Sequence, residues 1–302
     1  MATNDLKNKN VVAATDDTHS SEEQDKNKTV VIASDDTPDN EKVGEKEAEI
    51  KNANVASKDT SIVKDEKETR NDLGISLDKL SLGPKKKLLV LPLGGMLVHR
   101  AYRNRPNTIP MRSRPDFSTR SFLIYKRPYC EGFLKFCLER FEVGIWSSAM
   151  EQNIDGVLIN IMGEHKSKLL FTWDQGQCTN TGFMCLENKE KPVFLKELKY
   201  VWQKKWRDVE YSSSNTLLIT DPVKALLNPP NTSMFPGNYD PNNKVDDFLG
   251  PHGELRAFLG GLAEANDVPT YVKDHPFGEA AITPSHSDWG YYSKIIRSLG
   301  KE

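Results

Sequence analysis

The order of apolar and polar positions divides the chain into short buried runs and amphipathic stretches. Leu88-Leu89-Val90-Leu91 is a continuous apolar run of strand length, preceded by Lys85-Lys86-Lys87. Such a run predicts a strand covered on both faces, the habit of parallel sheets. Similar runs recur at 121–125, 143–146, 169–173 and 216–219. Between them the spacing turns helical. Phe133, Leu134, Cys137, Leu138 and Phe141 share one face of a helix near 129–141. Ile154, Val157, Leu158 and Ile161 predict a second helix. Leu195, Leu198 and Trp202 mark a third, and Leu255, Phe258, Leu259 and Leu262 a fourth. Strands alternating with helices predict an α/β domain around a mostly parallel sheet. In such sheets ligands sit beyond the C-terminal strand ends, at the topological switch point. The residues just after each apolar run are therefore where chemistry is expected.

Composition changes the picture at one end. All 12 Phe, 5 Trp and 9 Tyr lie beyond Pro84. The first 84 residues hold no Cys, and acids outnumber bases there, whereas bases outnumber acids in the rest. A segment without aromatics cannot bury enough apolar area to offset its ordering entropy. The expected organisation is a disordered acidic arm over 1–84, a folded domain over 85–277 and a C-terminal tail over 278–302. The arm carries an imperfect repeat, 8–18 and 27–37, each copy placing an apolar run before an acidic pair. Two copies are too few for a solenoid. The composition excludes collagen-like, coiled-coil and disulfide-scaffold proteins. No run approaches the ~20 apolar residues of a membrane span. The acidic start, with no Arg before Arg70, argues against a secretory signal or a mitochondrial presequence. Cys130, Cys137, Cys178 and Cys185 form no C-x-x-C pair. That disfavours zinc and fits reduced thiols, with Cys130 and Cys137 in the core.

Four patches that border these elements resemble a known family. They are Lys126-Arg127-Pro128-Tyr129, Gly144-Ile145-Trp146-Ser147-Ser148-Ala149, Lys191-Pro192 with Lys196-Glu197-Leu198, and Lys224-Ala225 with Asn228-Pro229. In this order they resemble the phosphatase domain of the haloacid-dehalogenase superfamily that acts on the RNA polymerase II C-terminal domain, also called the NLI-interacting-factor-like domain. The resemblance covers roughly 86–275. It implies a three-layer, Rossmann-like fold of the haloacid-dehalogenase type. It also implies a nucleophilic Asp and an acid/base Asp just after the first strand, a phosphate-binding Ser or Thr, a phosphate-neutralising Lys, and Mg²⁺. A carboxylate nucleophile splits hydrolysis into two easier steps, and cations stabilise the charge spread over the phosphoryl oxygens.

The first signature is broken. By alignment with the family, Pro92 stands at the nucleophile's position and Gly94 at that of the acid/base. Neither offers a carboxylate. Ser147 matches the phosphate-binding hydroxyl and Lys196 the neutralising lysine. Asp221, in Thr220-Asp221-Pro222, is the one acid left of the family's later acidic motif, a weak metal ligand by itself. His99 is a poor substitute base, and Ser147 with His99 is no supported nucleophilic pair.

A basic run follows the broken signature: Arg100, Arg103, Arg105, Arg112, Arg114, Arg120, Lys126 and Arg127, against Asp116. Arginine recognises phosphate bidentately, so the first five are candidates for partner binding. Nucleic acid is the disfavoured partner. The resemblance and its broken signature together imply a pseudophosphatase, a non-catalytic module that binds a phosphorylated or acidic protein partner in the nucleus or cytoplasm. One alternative is a subunit related to the presequence receptor of the mitochondrial inner-membrane translocase, acting in protein import. The other is a weak Mg²⁺-dependent Ser/Thr protein phosphatase. No cofactor is expected, except Mg²⁺ if activity persists.

Overall fold

Five strands form one parallel sheet, and the most apolar of them lies in the middle. The computed structural model describes residues 85–207 and 209–300. The arm and its repeat lie outside the described residues. Strand β1, Leu88–Leu91, is fully buried because it has a neighbour on each edge and a packed layer on each face. The later strands of this sheet are β5 (Glu142–Trp146), β6 (Phe171–Trp173), β9 (Thr216–Ile219) and β10 (Ser233–Met234). Their spatial order is β10-β9-β1-β5-β6. Leu91 pairs with Ile145 on one side, and Val90 with Leu218 on the other.

The pleat of β1 sorts its side chains between two cores. Leu89 and Leu91 join Val143, Ile145, Leu217 and Ile219 in the larger core. That core is covered by α1 (Cys130–Arg140), α2 (Asp155–Met162) and α4 (Glu254–Glu264). Leu88 and Val90 face the smaller core, with Trp146, Phe171 and Trp173. Gly144 is required here, since a Cβ would collide with the Phe171 ring. Cys130 and Cys137 lie in the larger core, and burial pushes the Cys130 thiol up to about 12.

Two smaller antiparallel sheets flank the C-terminal strand ends. One has the order β2-β4-β3, from Val98–Tyr102, Phe122–Lys126 and Phe117–Ser118. The other pairs β7 (Thr179–Met184) with β8 (Pro192–Leu195). A short α5 spans Val268–Asp274. The C-terminal α6, Trp289–Ser298, packs Tyr292 and Ile295 against Val193 and Leu195.

Two expectations are corrected. The run at 121–125 is a strand, but it pairs antiparallel with β2 and β3 rather than joining the parallel sheet. The spacing of Leu195, Leu198 and Trp202 is not one helix. Leu195 ends β8 and packs against α6, whereas Leu198 faces Trp146 and only Lys199–Trp202 is α-helical, as α3. Its period arose from residues serving two different cores.

Candidate functional site

The chain leaves β1 for β5 and β6 on one side, and later places β9 and β10 on the other. That reversal opens a crevice at the C-terminal end of β1. A cavity of about 580 Å³ lies there. Pro92 and Gly94 after β1, Ser147 after β5, Lys196 after β8 and Asp221 after β9 all line it. The structure thus brings together every position aligned with the family's site. From β2 come His99 and Arg100, and from the segment after β10 come Asn238 and Tyr239. Lys191, Lys224 and Asp240 complete the charged lining.

The turn after β1 survives without its carboxylates. Gly95 has φ +84 and donates its N–H to the Val98 carbonyl at 2.9 Å. A Cβ there would collide with Asn238 Oδ1. Glycine therefore satisfies both the left-handed backbone and the close approach of the 238–241 wall. That wall is anchored by Tyr239, whose N–H donates to the Gly95 carbonyl at 2.6 Å and whose hydroxyl donates to the Lys126 carbonyl at 3.1 Å. Arg127 stands behind it, 5.5 Å from the Tyr239 ring, in a buried bidentate pair with Asp246.

Lys196 is 1% exposed, an extreme burial for a lysine. Its Nζ donates to the Trp146 carbonyl at 2.6 Å. Desolvation, and then the nearby charge of Lys224, bring its ammonium down to about 7. Its backbone is held by Asn228, which donates to the Lys196 carbonyl and accepts from the Leu198 N–H, both at 2.9 Å. The Lys196-Glu197-Leu198 and Asn228-Pro229 patches are therefore one device: the second pins the first. Ser147 Oγ accepts from the Ala149 N–H at 3.2 Å, and a hydroxyl in that role can still donate its own proton. No hydrogen bond joins it to His99 among the described residues, and the His99 Nε2 is buried without a partner.

Asp221 brings a carboxylate to the cavity from the end of β9. Burial would raise it, but the ion pair with Lys224 at 2.6 Å holds it below its usual value. This donor set does not fit Mg²⁺. The ion takes carboxylate and phosphate oxygens in near-ideal octahedral geometry. Here Pro92 and Gly94 offer none, Asp221 is already neutralised, and the Arg100 guanidinium lies against Gly94. Among the described residues no group of three or more His, Cys, Asp or Glu is arranged to hold an ion.

The basic run is divided between the cavity and the surface. Arg100 enters the cavity, whereas Arg103, Arg105, Arg112 and Arg114 are exposed on the connections outside it. Arg105 pairs with Glu190 at 3.1 Å. Sequence reasoning assigned no role to Asn238, Tyr239, Lys191 or Lys224; the last two stood in the quoted patches, while nothing local marks the first two.

A parallel α/β sheet whose central strand ends open onto a lysine- and serine-lined crevice defines a phosphatase-homology domain. The chain belongs to the NLI interacting factor-like phosphatase family, whose model matches residues 87–269. It is similar to an uncharacterized FCP1 homology domain-containing protein of Schizosaccharomyces pombe, at 29% identity over 227 residues, 72% of this chain and 88% of the relative. It is also similar to the structure of the fission yeast RNA polymerase II CTD phosphatase Fcp1 bound to beryllium fluoride, at 13% identity and a TM-score of 0.35. The match covers 70% of this chain and 62% of that one. A second Fcp1 structure matches at 12% identity and a TM-score of 0.33 over the same shares. The chain thus spans less than two thirds of the Fcp1 chains. Among the described residues no helix is long and apolar enough to cross a membrane.

Proposed function

We propose that this chain is a pseudophosphatase, a phosphatase-homology module that holds a phosphorylated or acidic protein partner without hydrolysing it. One observation carries the reading: the end of β1 presents Pro92 and Gly94 to a cavity that still holds Ser147 and a buried Lys196. Proline has no nucleophile and glycine no proton to give. Loss of a nucleophile by itself removes many orders of magnitude of rate. The phosphate-facing shell needs none of the missing groups. Beyond Lys191 and Lys224 the cavity continues into a second one of about 610 Å³ beside α6, space for the polypeptide that flanks a bound side chain. The nucleus or cytoplasm is the setting this reading implies.

The test pairs turnover with affinity. The full chain, incubated with an aryl phosphate and a phosphoserine peptide in Mg²⁺, is expected to release no phosphate above buffer. The same peptide is expected to bind in fluorescence anisotropy, more weakly as salt rises. Metal-dependent turnover abolished by Asp221→Asn would instead establish a working phosphatase.

A further inference from the structure

We propose that the Arg100 guanidinium has replaced a divalent cation in this site, so that the cavity binds a phosphoryl dianion with no metal. The inference rests on the reading of the cavity as an anion site and goes further, to the group that makes it one.

The geometry around Gly94 is the first support. An ideal Cβ at Gly94 would lie 3.2 Å from Arg100 Nη2, 3.3 Å from Nε and 3.6 Å from Cζ. The guanidinium therefore lies against the backbone of the position where the resemblance calls for a carboxylic acid. A side chain at 94 would press on the guanidinium in this place.

The second support is the state of the guanidinium itself. Arg100 is held on β2 opposite Ile124, with Cζ 5.4 Å from the centre of the Phe122 ring. Its Nη1 is buried and has no hydrogen-bond partner among the described residues. Burial lowers its ionisation from the usual value, yet an arginine stays charged. A partly buried cation with an unpaired donor is costly unless an anion lies near it.

The third is the company it keeps. Ser147 and Lys196 line the same cavity, while Asp221 is spent on Lys224. Asp240, the other acid of the lining, is exposed and accepts from Asn242 N–H and Nδ2. A tetrahedral dianion would find guanidinium donors, an ammonium and a hydroxyl converging on it, and no bound metal is needed to offset its charge.

Isothermal titration of the full chain with orthophosphate and with a phosphoserine peptide, each in EDTA and in Mg²⁺, tests this. Binding should be the same with and without the metal. Arg100→Gln should weaken it about 10- to 100-fold, the worth of one charge-assisted hydrogen bond. Gly94→Ala, which pushes on the guanidinium but keeps its charge and the fold, should weaken it in the same direction. Exposed Lys168→Gln, away from the cavity, should leave it unchanged. Tighter binding of the peptide identifies a protein-borne phosphoryl group, equal binding a free anion, and both support the site. Binding that requires Mg²⁺, or that ignores both Arg100→Gln and Gly94→Ala, overturns the role of Arg100 and leaves the pseudophosphatase reading standing. A wild-type chain that binds a phosphate-free acidic peptide, titrated as a third ligand, and neither phosphoryl ligand overturns the phosphoryl site. One that binds none of the three overturns both.

Discussion

Replacing Lys196 with methionine should make the fold more stable. The side chain is buried, and its ammonium falls from 10.5 to about 7. Lowering a lysine's pKa by one costs its charged form about 1.4 kcal/mol relative to the neutral amine. The sign follows from proton counting. Between the folded value near 7 and the unfolded value of 10.5, the unfolded chain binds more protons at this residue. Stability therefore rises with pH across that window. Integrating the difference, burial of this lysine costs about 4 kcal/mol at pH 7 and about 2 kcal/mol at pH 9. Methionine fills a similar volume and carries no charge. It forfeits the hydrogen bond to the Trp146 carbonyl, a loss of about 1–3 kcal/mol. The net gain for Lys196→Met is then about 1–3 kcal/mol at pH 7, shrinking by about 2 kcal/mol at pH 9. Urea denaturation followed by tryptophan fluorescence reads this, in phosphate-free buffer at both pH values. The buried Cys130 and Cys137 thiols owe nothing to Lys196 and cancel in the difference, and Cys178, which Lys196 does influence, is replaced by Ser in both proteins. A variant more than about 1 kcal/mol less stable than wild type at pH 7, or wild-type and variant stabilities that run parallel in pH, would refute the argument.

Other outcomes follow from the same geometry. Restoring both carboxylates, Pro92→Asp with Gly94→Asp, should give no Mg²⁺-dependent phosphate release, because a carboxylate at 94 meets the Arg100 guanidinium; turnover by this double variant would show that Arg100 yields. Asn228→Ala removes two hydrogen bonds at 2.9 Å and should cost about 2 kcal/mol in chemical denaturation, with weaker phosphate binding as Lys196 loses its anchor. Gly144→Ala drives a methyl group into the Phe171 ring and should cost about 1–3 kcal/mol, seen as a lowered Tm; an unchanged Tm would mean that the ring moves freely. Phosphate affinity should peak at about pH 6–7: above it Lys196, close to Lys224, Cys178 and Asp221, must take up a proton to bind, and below it the phosphate monoester loses its second charge.

The parallel sheet was legible because its strands have no solvent face. A run such as Leu88–Leu91 needs no partner to be recognised. Strand β2 was hidden for the opposite reason. Val98 and Ala101 are buried, but His99 and Arg100 between them serve the cavity, which breaks the alternation that would mark a strand. Lys196 was visible only through the family likeness, since burial cannot be read from a lysine. What buries it is Asn228, 32 residues away, and the Trp146 carbonyl, 50 residues away. The 238–241 wall was missed on the same account. Its contacts with Gly95 and Lys126 span more than a hundred residues and leave no local period. The Arg run looked uniform in sequence, but of the five candidates Arg100 lies on β2 and the others on the connections that follow it.

Stability by itself gives no reason for Lys196 and Arg100 to sit where they do. An apolar side chain would serve the core better at the first position, and an exposed arginine would cost less at the second. Under the proposed anion site both costs would shrink: a phosphoryl group in the cavity they both line would return the Lys196 ammonium toward its usual ionisation and offset the Arg100 charge, so that energy lost on folding would reappear as affinity. Catalysis would need more than this. A bound phosphoryl group must be attacked, and the end of β1 holds a proline at the position from which the attack would come.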